Sequence, residues 1–123
     1  MAIEEVTTAG IPDVHVSIVV YPDAEQYAAH CLEMDIVTTA PSVDEAVADV
    51  LDLIAAHLTF AYQNDNTDYI YRPAPPEIWR MFAEAQRRAR VQPQSAACPP
   101  RRQELPLDRT RDSKIEADSF CYA

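Results

Sequence analysis

Val14-His15-Val16-Ser17-Ile18-Val19-Val20-Tyr21 alternates along its length. Val14, Val16, Ile18 and Val20 fall on one face, and His15, Ser17, Val19 and Tyr21 on the other. A period of two carried by β-branched residues marks a strand with one side toward a core. Pro22-Asp23-Ala24-Glu25 is a turn, because proline presets the backbone angle and aspartate bonds its own chain. Gln26 to Asp35 continues the pattern as a second strand. Ala28, His30, Leu32 and Met34 share one of its faces; Tyr27, Ala29, Cys31, Glu33 and Asp35 share the other. Ile36 to Thr39 follows almost at once as a third, short strand, so the segment opens with a β-hairpin that has at least one free edge.

The period then changes. Ser42 precedes Val43-Asp44-Glu45, an arrangement that resembles a capping box. Val43, Val47, Val50, Leu51, Ile54, Leu58 and Ala61 recur at spacings of three and four, which predicts a helix from Val43 to Tyr62 with one apolar stripe. Gln63-Asn64-Asp65-Asn66 stops it, and Tyr69-Ile70-Tyr71 is a candidate brief edge strand. Pro73-Ala74-Pro75-Pro76 opens a second helix with proline in its first turn. Ile78, Trp79, Met81, Phe82 and Ala85 form its apolar side, and Arg87, Arg88 and Arg90 load its C-terminal end, where cations suit the dipole. From Gln92 onward prolines are scattered among polar residues without period. Residues 92–123 are therefore expected to be a disordered tail, dispensable for stability. Residues 1–13 read as a flexible leader, and 14–91 as the folded domain.

The chain has 123 residues, a prior for one domain. Its net charge of −10 is unevenly divided. Residues 1–71 hold 13 acids and no lysine or arginine, whereas residues 72–123 hold seven acids and all ten bases. An acidic half repels a phosphate backbone, so direct nucleic-acid binding is not expected, and it speeds encounter with basic partners. The single glycine, Gly10, excludes a Walker loop and a dinucleotide fingerprint, which need several. No apolar run approaches a membrane span, and the acidic N-terminus lacks the features of a signal peptide. Three widely spaced cysteines, Cys31, Cys98 and Cys121, read as reduced thiols of a cytoplasmic protein. None has a partner at zinc-ligand spacing.

Cys31-Leu32-Glu33-Met34-Asp35-Ile36, then Ser42-Val43-Asp44-Glu45-Ala46, then Pro73-Ala74-Pro75-Pro76-Glu77-Ile78-Trp79 occur in that order. Together they resemble the HicB-like family, which includes the antitoxin half of bacterial HicA–HicB toxin–antitoxin pairs. The likeness covers about residues 14–85. The family's usual glycine before the helix is replaced around Ala40-Pro41, and residues 73–123 show neither of the DNA-binding motifs that HicB antitoxins commonly carry. The resemblance implies an α+β fold: a small antiparallel three-stranded sheet (β-β-β-α, a degenerate ribonuclease H-like core) packed on one helix, with a second C-terminal helix. It also implies a non-catalytic module that acts through protein–protein contacts, with a small basic HicA-like toxin as partner. A solitary HicB-like regulator or scaffold without a toxin is the alternative.

Asp23, Glu33 and Asp35 are candidate carboxylates for a metal-dependent hydrolase. The preferred reading is acids at a strand end, with no catalytic residue, no metal and no cofactor. Cys31 reads as a small buried cysteine rather than a nucleophile. Tyr27, Glu33 and Asp35 are the candidate partner-binding residues. The first strand carries no lysine, arginine or acid between residues 14 and 21, and monomeric proteins usually guard an edge with charge. Val16, Ile18 and Val19 are therefore the candidate edge of a homo-oligomer.

Overall fold

A computed structural model describes residues 13–107 and 113–122. All of the expected leader except Asp13 lies outside the described residues. The elements are β1 (Val14–Asp23), β2 (Gln26–Cys31), β3 (Ile36–Ala40), α1 (Val43–Gln63), α2 (Pro76–Val91), β4 (Arg101–Pro106) and β5 (Lys114–Cys121).

The sheet has five strands in the order β3-β2-β1-β5-β4. The expected small, wholly antiparallel three-stranded sheet is therefore incorrect. β1 pairs antiparallel with β2, from Ile18↔Cys31 to Asp23↔Gln26, and parallel with β5, from Val14↔Ile115 to Val20↔Cys121. Both added strands come from the stretch read as a tail. β5 does alternate: Ile115, Ala117, Ser119 and Cys121 point inward and are buried, while Lys114, Glu116, Asp118 and Phe120 lie between them half-buried. Two of those inward residues, Ala117 and Ser119, are too small or polar to register as an apolar period. β4 is polar or charged from Arg101 to Glu104, turns one apolar side chain, Leu105, toward the core, and forms the outer edge.

The placement of β5 also corrects the expected oligomer edge. Val16, Ile18 and Val19 sit in a strand with neighbours on both sides, and all three are fully buried. β1 lacks guarding charges because it is interior.

Val14, Val16, Ile18 and Val20 face α1 across the main core, with Ala29 and Cys31 of β2, Ile115 and Ala117 of β5, and Val47, Val50, Leu51, Ile54 and Leu58 of the helix. Fully burying one aliphatic side chain of this size stabilises by about 1.5–3 kcal/mol. The predicted stripe on α1 is thus the buried one. Ser42 Oγ accepts the Glu45 N–H at 3.2 Å and donates to the Glu45 carboxylate at 3.0 Å. α2 starts at Pro76 and lies against β1 and β5 on the opposite face. There Phe82 meets Phe120 edge-on, with ring centroids 5.3 Å apart. Trp79 stays more than a third exposed, and Ala85 is the buried residue of α2.

Cys98 and Cys121 form a disulfide. The expectation of reduced thiols fails for this pair because the β4–β5 hairpin folds the chain back on itself. Residues 23 apart in sequence come to a Cα–Cα distance of 5.4 Å. Cys31 alone is free, and it is buried. No helix among the described residues is long and apolar enough to cross a membrane.

Candidate interaction surface

Ala46, Leu53 and Phe60 are spaced by seven residues and so share a line along α1. The Thr38 hydroxyl of β3 donates to the Ala46 carbonyl at 2.9 Å, which seats this line beside the strand. The other flank of α1 turns toward β4, where Asp44 pairs with Arg101. The Ala46–Leu53–Phe60 line therefore lies on the side of the molecule where β3 ends the sheet. Between Leu53 and Phe60, His57 Nε2 meets the Ile70 carbonyl at 3.1 Å, drawing residues 69–71 to the same flank. Tyr69 and Tyr71 stand on either side of the buried Ile70. The expected strand at Tyr69-Ile70-Tyr71 is replaced by a 3-10 turn over Thr67–Tyr69 and an extended segment. In that segment the Arg72 and Ala74 N–H groups bond the Glu33 and Leu32 carbonyls at 3.0 and 2.8 Å.

This flank exposes four large apolar side chains: Leu53 at 48%, Phe60 at 63%, Tyr69 at 70% and Tyr71 at 56%. Exposed acids occur in the same stretch of chain: Asp49, Asp52, Asp65 and Asp68. No lysine or arginine precedes Arg72 in the chain. Single exposed apolar residues are ordinary, but a cluster rimmed by polar groups marks an interaction site. Periodicity does not mark it in the sequence, because Leu53 and Phe60 fall off the core stripe of α1.

Tyr27, Glu33 and Asp35 do not come together. Tyr27 sits at the turn end of β2 opposite Pro22, and lines a cleft of about 190 Å³ with Val20, Pro22, Val43, Ala97, Cys121 and Tyr122. Glu33 and Asp35 lie beyond the other end of β2 in the loop to β3, which turns through a positive φ of 52° at Asp35. Because β2 stops at Cys31, the two acids do not share a strand face. The Glu33 carboxylate turns inward to accept the Ser17 backbone N–H at 2.8 Å and the Cys31 thiol at 3.9 Å. Asp35 instead takes His30 Nε2 at 2.7 Å.

His30 is 7% exposed, and its Nδ1 stands 3.2 Å from the Tyr21 hydroxyl. In the neutral imidazole with its proton on Nε2, facing Asp35, Nδ1 accepts from the Tyr21 O–H. Burial, followed by Asp23 and Asp35, raises the Tyr21 pKa above the ordinary phenol value. The Tyr21–His30–Asp35 chain ties β1 and β2 to the 32–35 loop. Burial also pushes the Cys31 thiol up to about 12, with Glu33 and Asp35 adding to the rise. The thiolate is the reactive form. Cys31 is therefore expected to resist iodoacetamide at pH 8 while the protein is folded and to react in urea. Rapid labelling of the native protein would disprove this placement. Among the described residues, no group of three histidine, cysteine or acidic side chains is arranged to hold a metal ion.

Comparison with protein-family models, with curated proteins and with solved structures finds no match to this chain.

Proposed function

We propose that this chain is a non-catalytic, HicB-like protein-binding module whose partner is a small basic protein, as in the antitoxin half of a toxin–antitoxin pair. The observation that carries the reading is the α1 flank, where Leu53, Phe60, Tyr69 and Tyr71 are exposed in a part of the chain whose charged side chains are all acidic. Aromatic anchors in the centre of an interface carry most of its binding energy. A rim of one sign steers the oppositely charged partner and rejects nucleic acid. The HicB-like form of the proposal rests on the three ordered segments quoted above. A homo-oligomer joined through β1 is no part of it, since β5 occupies that side of the strand.

The test is co-expression with the product of the adjoining gene, which the antitoxin form requires to be a small basic protein. A stable complex is expected, with association slowing as salt rises. Phe60→Asp, at an exposed position, is expected to weaken it about thirtyfold, the equivalent of about 2 kcal/mol, without changing the fold. Absence of a complex sinks the antitoxin form. An unweakened Phe60→Asp complex removes the flank from the interface.

A further inference from the structure

Resting on that reading of a basic partner, we infer that the partner binds by adding an extended strand to the free edge of β3, under the exposed flank of α1.

The two edges of the sheet are built differently. β4 carries Arg101, Arg102, Glu104 and Pro106. Arg102 is locked to Asp118 at 2.9 Å, Arg101 is paired with Asp44, and Lys114 reaches Glu104 at 3.5 Å. Charge and proline are the usual guards against strand addition. β3 reads Ile36-Val37-Thr38-Thr39-Ala40, with no charge, proline or glycine. Among the described residues, β2 is its one strand partner. Its outer row of backbone N–H and C=O groups is a template for another chain.

The geometry around β3 states what the added strand must carry. Thr38 and Ala40 turn toward α1: Thr38 bonds Ala46, and Ala40 is buried in the core. Val37, 47% exposed, and Thr39 turn to the opposite face. Successive side chains of an incoming strand point to opposite faces in the same way. Those on the α1 side come beneath the Ala46–Leu53–Phe60 line and must be apolar. Those on the far side come beside Val37 and near Asp35, just before the strand, whose carboxylate also takes His30, and lysine or arginine fits there. Main-chain hydrogen bonds would supply affinity and alternate side chains specificity, as in other strand-addition complexes. The ligand is thus a segment in which basic and β-branched residues alternate. The free β3 of a second copy fits poorly, because Ile36–Ala40 brings no base.

The probe is a synthetic peptide alternating lysine and valine, with a glutamate–valine peptide as control, followed by amide NMR and hydrogen exchange on the full chain. Saturable binding of the lysine peptide alone is expected, with amide exchange in residues 36–40 slowed at least about tenfold. Val37→Lys/Thr39→Lys, both at exposed positions, is expected to weaken binding at least about tenfold with the melting temperature unchanged. If the double variant binds as well as the parent while Phe60→Asp does not, strand addition is wrong and the basic-partner reading stands. If the lysine peptide fails to bind at low salt, both fall. If the free protein has the mass of two chains with residues 36–40 already protected, the edge belongs to a second copy and the proposal is overturned.

Discussion

A chain ended after Val91 is expected to lose its cooperative unfolding transition altogether. The cut removes β4 and β5, and with them the parallel partner of β1 along its length from Val14 to Val20. Ile115, Ala117 and Leu107 leave the core, and Val14, Val16, Ile18 and Val20 lose the strand beside them. Phe82 on α2 loses the ring of Phe120, and the disulfide disappears. Each large aliphatic residue uncovered costs about 1.5–3 kcal/mol, and a whole domain is stable by only about 5–15 kcal/mol. The losses therefore exceed the total. A gentler version is Ile115→Ala in the intact chain, since Ile115 is fully buried. Its expected cost is about 2–5 kcal/mol by urea unfolding, with the slope unchanged if the folded state is kept. A truncated chain that melts sharply within a few degrees of the full one would show that residues 92–123 contribute nothing to the core.

That result turns on what a sequence makes legible. β1 and α1 could be read because their inward positions are large and aliphatic, so period and burial coincide; β2, β3 and α2, with smaller inward residues such as Ala29, Ala40 and Ala85, are bounded by the turns and prolines around them. Val43 to Ala61 is the clearest case: each residue of its predicted stripe from Val47 on is buried. β5 has the same alternation, but its inward side chains are Ile115, Ala117, Ser119 and Cys121. Small residues are admitted there because β5 lies between β1 and β4, and the ladder supplies what side-chain area does not. β4 has no inward signal beyond Leu105 and is defined by its pairing with β5. The site residues divide similarly. Asp35 and Glu33 were visible as acids at a strand end, but their partners His30 and the Ser17 N–H depend on a loop that turns at Asp35. Leu53, Phe60, Tyr69 and Tyr71 look unremarkable one by one. The His57–Ile70 contact that groups them links α1 to a turn no periodicity marks.

Reducing the Cys98–Cys121 disulfide is expected to lower the melting temperature by about 10 °C or more. The bond closes a loop spanning 23 residues that contains the whole β4–β5 hairpin. Freed from that closure, the unfolded chain gains entropy worth about 3 kcal/mol. In a domain of this size each kcal/mol moves the midpoint by about 3–5 °C. Contacts other than the disulfide hold β5 in place: Tyr122 N–H bonds the Val20 carbonyl at 2.7 Å and β5 pairs along β1. The loss should thus appear as destabilisation with an unchanged fold. Cys98→Ser is the cleaner variant, since Cys98 is half-buried while Cys121 is only 8% exposed. Scanning calorimetry should find parent plus dithiothreitol and Cys98→Ser melting together, both below the oxidised parent. Dithiothreitol should have no further effect on Cys98→Ser. Cys31 cannot stand in for the lost partner, because it is wholly buried on β2. Mass spectrometry of the folded, oxidised protein should find it lighter than the reduced chain by two hydrogens. An unchanged midpoint in reductant, with that mass difference confirmed beforehand, would show that the hairpin is held by β1 and the core alone.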